Sequence, residues 1–341
     1  MKRIKTAKCI SGEIIAEDIY NDKGIILVSK DTVINNYIKH KLIDFGIGQI
    51  KVYDEEENSI EFLKFNKQYK DCLLLVKGLL NDISTGNYHN IDRVANYITN
   101  IVYKNICNCE YMIQCLQKIR SNDEYTYTHC INTAFYSMLL GCWCKMSKDE
   151  IVELVSSALL HDIGKTKIPP EILNKKGKLD SYEFEIMKSH SLEGYKIVEN
   201  IPDFSSDMKK AILLHHERMD GSGYPVGLKG NSINLYARII SIADVYDAMT
   251  QDRIYKEKVS PFETFEMFMT EGIRQFDYRL LYKFMKHIAP FYIGTNVELN
   301  NGEIGEIVYI PPQDIVYPIL FVNSEYIDLS KKTDIRVLKV V

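Results

Sequence analysis

Five of the eight histidines in this 341-residue chain fall in one ordered series with two aspartates. The series runs His129, His161-Asp162, His190, His215-His216 and Asp244. Successive members are 25 (190→215) to 32 (129→161) residues apart, about one helix and its return loop. Ligands at that spacing can lie on different helices of a bundle at a similar height. Because imidazole and carboxylate groups bind transition metals, the series predicts a centre for two metal ions and favours a metallohydrolase.

The residues before Asp162 indicate that its carboxylate continues an apolar helix face. Residues 147–150 resemble a capping box, so we expect a helix to begin there and to end at Gly164. Asp162 stands seven residues after Val155, on the same stripe. An ionised carboxylate on a buried face is costly unless a partner compensates its charge. A metal ion would supply that compensation.

The later members of the series also follow apolar segments. A second helix is expected to begin at Asp180 and to carry His190 on an apolar face. His215 and His216 end the apolar run 211–214, and Asp244 comes one turn after Ile240. A single histidine is usually an ordinary core or surface residue. Chance does not readily place five imidazoles and two acids on the core faces of successive helices, so we interpret the set as ligands.

The composition is that of an ordinary globular protein, with 46% hydrophobic and 26% charged residues. The net charge of −4 argues against a general binder of nucleic-acid polymers, which would be basic. The eight cysteines form no C-x-x-C repeat and no signal peptide is evident, which predicts reduced thiols in a cytoplasmic protein. No apolar run approaches the ~20 residues of a membrane span, so no membrane partner is expected.

The chain is predicted to be mainly α, with four segments. These are a small α+β N-terminal module (1–58), a helical connector (59–121), the metal-binding helical domain (122–289) and a small β-barrel-like C-terminal module (290–341). In the first module, Ile14-Ile15 and residues 25–28 are expected to form strands around a turn, followed by a helix over 34–45. In the last module, residues 296–310 have the pattern of a hairpin and β-branched residues dominate.

Four segments resemble the motifs of the HD-GYP family. They are His161-Asp162-Ile163-Gly164-Lys165, His215-His216-Glu217-Arg218, Asp220-Gly221-Ser222-Gly223-Tyr224-Pro225, and residues 243–250 followed by Asp252-Arg253-Ile254-Tyr255. The match covers roughly residues 122–289, in the order and spacing of the family. This family is an all-helical variant of the HD phosphohydrolase superfamily, and its members hydrolyse the bacterial second messenger cyclic di-GMP to pGpG and often GMP. The resemblance implies an HD-type helical bundle.

The resemblance also implies a role for each matching residue. One metal would be held by His129, His161, Asp162 and Asp244, and the other by His190, His215 and His216, with Asp162 bridging the two. Family members are associated with iron and manganese, and this donor set suits either. Lys165 would contact a substrate phosphate, and Arg253 with Lys256 would contact the far phosphate or the guanine end.

Two positions depart from the family pattern. Some members hold a third metal through a glutamate four residues before the first histidine, but Tyr125 stands there in this chain, so two metals are expected. Ile254 replaces a proline that the family often has, which bears on the shape of that loop. The two glycines of residues 220–225 fit either a tight turn or a close approach of the backbone to a ligand or partner.

Together with the resemblance, these residues imply a phosphodiesterase in which a hydroxide held between two bridged metals attacks phosphorus in line with the departing 3′ oxygen. Lys165 would help to neutralise the non-bridging oxygens. Two other enzymes fit the same site, a phosphodiesterase for cyclic GMP-AMP and an HD phosphohydrolase for mononucleotides. A non-catalytic receptor for cyclic di-GMP that signals through its terminal modules is a further alternative, although the full ligand set favours an enzyme. A homodimer or a signalling-protein partner is left open.

Overall fold

The computed structural model describes residues 2–30, 32–52, 55–86, 90–105, 113, 116, 125–201, 204–251, 259–332 and 334–341. Within these ranges the side chains of residues 2, 55–64, 66, 84, 92, 102–105, 125 and 126 are outside the description. The molecule is mainly α-helical, as the sequence predicts. None of the described helices has the length and hydrophobicity that a membrane crossing requires.

The helices of the described residues enclose a large apolar core, and a second, small apolar cluster lies around Leu214, Ile233 and Ala237. They are α1 (Asn36–Asp44), α2 (Glu55–Ser84), α3 (Ile91–Asn105), α4 (Tyr125–Trp143), α5 (Lys148–Leu160), α6 (Pro170–Leu173), α7 (Ser181–Lys188), α8 (His190–Val198), α9 (Ser206–Leu214), α10 (Leu235–Thr250), α11 (Pro261–Thr270), α12 (Gly272–Gln275) and α13 (Tyr278–Ile288). Short 3-10 segments cover Thr6–Lys8, Ile163–Lys167, Gly230–Ser232 and Ala289–Tyr292.

The strands lie near the two ends of the chain and pair antiparallel. They are β1 (Lys2–Lys5), β2 (Ile19–Tyr20), β3 (Ile26–Val28), β4 (Gln49–Val52), β5 (Asn296–Leu299), β6 (Ile304–Tyr309), β7 (Ile319–Val322), β8 (Glu325–Asp328) and β9 (Val337–Val340). β1 pairs with β4, β2 pairs with β3, and the C-terminal strands form a five-stranded sheet in the order β8-β7-β6-β5-β9.

The C-terminal sheet is open, so the prediction of a barrel-like module is wrong. Among the described strands, β8 and β9 each have one neighbour and form the two edges of the sheet. Its strands are only four to six residues long. The sheet does not close on itself, and helices cover it instead: α1 packs on β6 and α11 packs on β9. The Tyr309 hydroxyl also donates to the carbonyl of Leu27 at 2.6 Å.

The N-terminal hairpin lies later in the chain than the sequence suggests. Ile14 and Ile15 form only isolated bridges, and the hairpin joins β2 to β3. The Asn21 side chain sets this turn, because its oxygen accepts from the backbone N–H of Lys23 and Ile25. The helix predicted over 34–45 is α1, which the Asn35 side chain caps by accepting from the backbone N–H of Ile38.

Aromatic side chains hold α4 against α10, the two helices that carry the first and last members of the ligand series. The Tyr136 ring meets the Tyr246 ring edge-on at 5.1 Å, and Tyr246 meets Phe284 of α13 at 5.0 Å. All three residues are fully buried. Buried aromatic pairs of this geometry stabilise by about 0.5–1.5 kcal/mol beyond the area they bury. The packing therefore gives the ligand-bearing turns a rigid support.

Candidate metal centre

The structure brings the seven predicted ligands together in two adjacent groups. In each group, one ligand atom from every member lies within 4.8 Å of all the others. One group is His129, His161 and Asp244, and the other is Asp162, His190, His215 and His216. All are buried except His216, which is half-buried. Seven donors with imidazole and carboxylate chemistry therefore converge on one small region.

Asp162 stands between the two groups. Its Oδ2 lies 3.4 Å from the Nε2 of His161 and 3.7 Å from the Nε2 of His129. Its Oδ1 lies 3.5 Å from the Nε2 of His190, on the other side. One carboxylate thus presents one oxygen to each group, which is the arrangement that a bridging ligand requires.

Most of the ligands lie at helix ends, which differs from the sequence expectation. α5 ends at Leu160 rather than at Gly164, so His161 caps it and Asp162 follows. The helix begun at Asp180 ends at Lys188, and His190 begins the separate helix α8. Inside a helix, consecutive residues point about 100° apart. The irregular backbone after a helix end lets neighbours such as His161 and Asp162 face the same centre.

Hydrogen bonds set the tautomer of three of the histidines. His161, His190 and His215 each donate from Nδ1 to the backbone carbonyl three residues earlier, at 2.7 Å in every case. A carbonyl can only accept, so Nδ1 carries the hydrogen and the lone pair lies on Nε2. Outer hydrogen bonds of this kind orient metal-binding histidines.

The Nε2 atoms fit a cation better than they fit one another. The Nε2 of His190 lies 3.3 Å from that of His215 and 3.1 Å from that of His216. The first of these contacts joins two lone pairs, because both Nδ1 atoms already donate elsewhere. The Nε2 of His161 is buried and has no hydrogen-bond partner among the described residues. A divalent transition-metal ion in each group would satisfy these atoms.

Electrostatics keep five of the seven predicted ligands in the forms that bind metal. Burial lowers the pKa of His190, His215 and His216, and the last falls to about 3. These imidazoles are therefore neutral near pH 7. Burial opposes the negative charge of Asp162 and Asp244. Even so, Lys165 holds the pKa of the Asp162 carboxyl well below its usual range, and His129 does the same for Asp244.

His129 differs from the other histidines because carboxylates lie on both sides of its ring. Its Nδ1 lies 2.7 Å from Oδ2 of Asp247, and its Nε2 lies 3.1 Å from Oδ1 of Asp244. Burial opposes the charged ring, yet these hydrogen bonds raise its pKa to about 9. Asp247 is fully buried, and the sequence reasoning missed it. The available signal was its place three residues after Asp244, on the same face of α10.

Lys165 lies next to the would-be bridge. Its Nζ is 2.5 Å from Oδ2 of Asp162, and about one third (32%) of its side chain is exposed. It can therefore reach both the carboxylate and the solvent. Arg253 and Lys256, the other predicted substrate contacts, lie outside the described residues. The side chain of Tyr125 does too, so the expectation of no third metal stays a prediction.

The glycine-containing loop packs on the segment that carries His215 and His216. A Cβ on Gly223 would lie 2.4 Å from the carbonyl oxygen of His216, and Gly221 has a φ of +85°. The buried carboxylate of Glu217, a second residue that the sequence reasoning missed, accepts from the backbone N–H groups of residues 226–228. Both glycines thus serve contacts within the chain, which favours the tight-turn interpretation. The ring of Tyr224 stacks on His216 at 4.7 Å.

A family model described as an HD domain matches residues 132–280. Residues 132–280 therefore form an HD domain, which supports the expected membership of the HD-GYP family. The HD-type bundle is also seen in an HDG"Y"P protein from Bdellovibrio bacteriovorus, whose structure gives a TM-score of 0.55 over 83% of this chain and 97% of that chain, at 18% identity. The sequence-based expectations of the family and of its helical bundle are confirmed.

Two curated relatives of this HD domain are named as phosphodiesterases. The chain is 35% identical over 193 residues to a cyclic di-GMP phosphodiesterase of Pseudomonas aeruginosa, covering 57% of this chain and 46% of the relative. It is 33% identical over 174 residues to a 3'3'-cGAMP-specific phosphodiesterase of Vibrio cholerae, covering 51% and 33%. The matches span half or less of the length of these two relatives.

Proposed function

We propose that this chain is a metal-dependent phosphodiesterase that hydrolyses cyclic di-GMP to pGpG, GMP or both. The observation that carries the proposal is Asp162, which turns one oxygen to each of two buried ligand groups. Similarity to a relative named as a cyclic di-GMP phosphodiesterase supports the choice of substrate. The HD domain supports the reaction class.

The ligand groups define which residues would hold the metals. His129, His161 and Asp244 would hold one ion, His190, His215 and His216 the other, and Asp162 would be shared. Two divalent ions bound there would lower the pKa of a water nucleophile and stabilise negative charge on the phosphate. Iron and manganese are the ions we propose, because imidazole and carboxylate donors suit both.

Lys165 is the residue we propose for charge stabilisation by the protein itself. Its ammonium group lies beside Asp162 at the edge of the centre, where part of the side chain meets solvent. A phosphate oxygen placed against the centre would come within reach of this ammonium group. Ion pairing is stronger beside a buried site than in open water, because solvent screens it less there.

A phosphodiesterase for 3'3'-cGAMP is the second candidate, because one relative carries that specificity in its name. Both substrates are cyclic dinucleotides and differ in one base. Metals that bind a phosphate do not by themselves distinguish one base from another. Specificity would therefore depend on residues around the centre.

We expect the metal-loaded chain to contain two ions and to hydrolyse cyclic di-GMP. The protein is loaded anaerobically with Fe²⁺ or with Mn²⁺, and its metal content is measured by elemental analysis. Hydrolysis of cyclic di-GMP and of 3'3'-cGAMP is then followed by chromatography of pGpG, GMP and AMP, with chelator-treated protein as the control. One or three ions per chain would contradict the binuclear centre. Tight binding of cyclic di-GMP without any turnover would indicate a receptor instead of an enzyme.

Lys165→Ala should keep both metals and slow hydrolysis. The lysine is beside the ligands without being one of them, and losing one charged contact to a phosphate costs on the order of 2–4 kcal/mol of transition-state stabilisation. Lys167→Ala is the matched control, because Lys167 lies on the same short segment and is exposed. Metal content and turnover are measured on the same preparations. Loss of metal would assign Lys165 to the structure of the centre, and unchanged turnover would remove it from phosphate binding.

A further inference from the structure

A chain of buried hydrogen bonds joins the connector helix α2 to the ligand His129. The hydroxyl of Tyr69 in α2 lies 2.7 Å from Oδ1 of Asn132, and Nδ2 of Asn132 lies 2.9 Å from Oδ1 of Asp247. The other oxygen of Asp247 lies 2.7 Å from Nδ1 of His129. None of the four residues is more than 4% exposed.

The chemistry of these groups allows one direction of donation. An ionised carboxylate only accepts, so Asp247 must receive a hydrogen from the amide nitrogen of Asn132 and another from the ring of His129. The amide oxygen of Asn132 then faces Tyr69, whose hydroxyl must be the donor. His129 is left with its Nε2 toward Asp244 and Asp162. The orientation of His129 thus depends on the Tyr69 hydroxyl, which acts on it through the side chains of Asn132 and Asp247.

Tyr69 lies outside the part of the chain that matches the HD family model, residues 132–280. Its position in α2 is set by packing on α4. The Tyr69 ring stacks on Phe135 at 5.9 Å, and Phe65, one turn earlier, meets the same ring edge-on at 5.7 Å. Helix α2 starts three residues after β4, the last strand of the N-terminal module. A shift of α2 against α4 would therefore move the Tyr69 hydroxyl directly.

We propose that Tyr69 is a positioning residue for His129, so that the placement of α2 sets the metal affinity of the group His129, His161 and Asp244. The proposal rests on the metal centre of the proposed function. If the Tyr69 hydroxyl is deleted or moves away, the buried oxygen of Asn132 loses its hydrogen-bond donor. An unsatisfied buried polar atom lowers the stability of the folded chain. The amide is then free to turn its oxygen toward the Asp247 carboxylate, which repels it. The hydrogen bond that orients His129 weakens as a result.

The experiment is to compare Tyr69→Phe with Tyr292→Phe in the full chain. Both variants delete one buried hydroxyl. The hydroxyl of Tyr292 lies 2.6 Å from that of Tyr246, and neither residue is a member of the hydrogen-bonded path from Tyr69 to His129. Mn²⁺ alone is the probe. Calorimetric titration measures its affinity for each site, and electron paramagnetic resonance distinguishes isolated from coupled Mn²⁺ ions. Thermal melting of the metal-free proteins measures the stability cost of each variant.

For Tyr69→Phe we expect one of the two Mn²⁺ affinities to fall about three- to tenfold, somewhat less than the 10–100-fold typical of direct partners of a ligand. Isolated Mn²⁺ should appear at concentrations that give coupled pairs in the parent protein. Turnover should recover at saturating Mn²⁺. Tyr292→Phe should keep both affinities.

Unchanged Mn²⁺ affinities in Tyr69→Phe would overturn the proposal, and so would an equal loss in both variants, which would indicate general destabilisation. Equal weakening of both sites in Tyr69→Phe would also contradict it, because the path reaches only His129. A parent protein that binds no Mn²⁺ and no Fe²⁺ would instead contradict the metal centre, and this inference with it.

Discussion

Asp162→Ala should abolish the hydrolysis of cyclic di-GMP and lower the metal content of the chain. Both proposed metals would lose the same anionic ligand, since its two oxygens face the two groups from 3.4 to 3.7 Å. We expect turnover to fall by more than about 1000-fold, equivalent to about 4 kcal/mol or more of transition-state stabilisation. The chain should still fold, because the remaining partner, Lys165, is partly exposed and can turn to solvent.

The measurement combines elemental analysis, turnover and circular dichroism on one preparation of Asp162→Ala. Asp162→Asn, which keeps the shape of the side chain, tests whether the charge is what matters. Asp149→Ala is the control, because it removes an exposed carboxylate from the first turn of α5, the same helix that leads to Asp162. A variant with two bound metals and near-normal turnover would show that Asp162 is not the bridge.

Gly164→Ala should destabilise the fold and separate the two ligand groups. A Cβ at Gly164 would lie 1.9 Å from the carbonyl oxygen of His190 and 2.4 Å from the backbone nitrogen of Gly194. Backbone atoms cannot move aside as a side-chain end can, so α8 would have to shift. Overpacking usually costs about 1–3 kcal/mol, and we expect a loss of about 3 kcal/mol or more here. His190 begins α8, so the shift would also carry it away from Asp162.

Urea denaturation of the metal-free protein measures this loss, because bound metal would add its own stabilisation. Mn²⁺ titration then shows whether the group of His190 is weakened more than the group of His129. Gly78→Ala is the control: this helical glycine of α2 is exposed, and a Cβ there meets no atom within 4 Å. It should leave stability unchanged or raise it by about 1 kcal/mol. Equal stability of the two variants would mean that α8 can move away from residue 164 at little cost in the free energy of unfolding.

The sequence by itself was enough to predict a candidate ligand set, because a metal site needs particular residue types and those types are rare in apolar surroundings. The capping box at Ser147 and the helix start at Asp180 were also predictable, since each depends on residues close together in the chain, and both are present in the structure. Local patterns of this kind carry their own physical cause. They also indicated a mainly helical chain with strands near its ends.

Only the tertiary structure decided how the ligands face one another. The break at Ser189, which separates α7 from α8, leaves no strong signal in the sequence, because the residues around it suit a continuous helix. Whether the C-terminal strands close into a barrel depended on which other elements could cover them, and α1 and α11 do so.

The hydrogen bonds behind His129 were also decided by the tertiary structure. Asp247 is 118 residues from His129, and Tyr69 is 63 residues from Asn132. No local periodicity links such positions. Their partnership exists because helix packing buries polar groups that must then satisfy one another, since water cannot reach them. The sequence therefore predicts which residues form the centre, while the orientation of their side chains depends on contacts that only the folded chain creates.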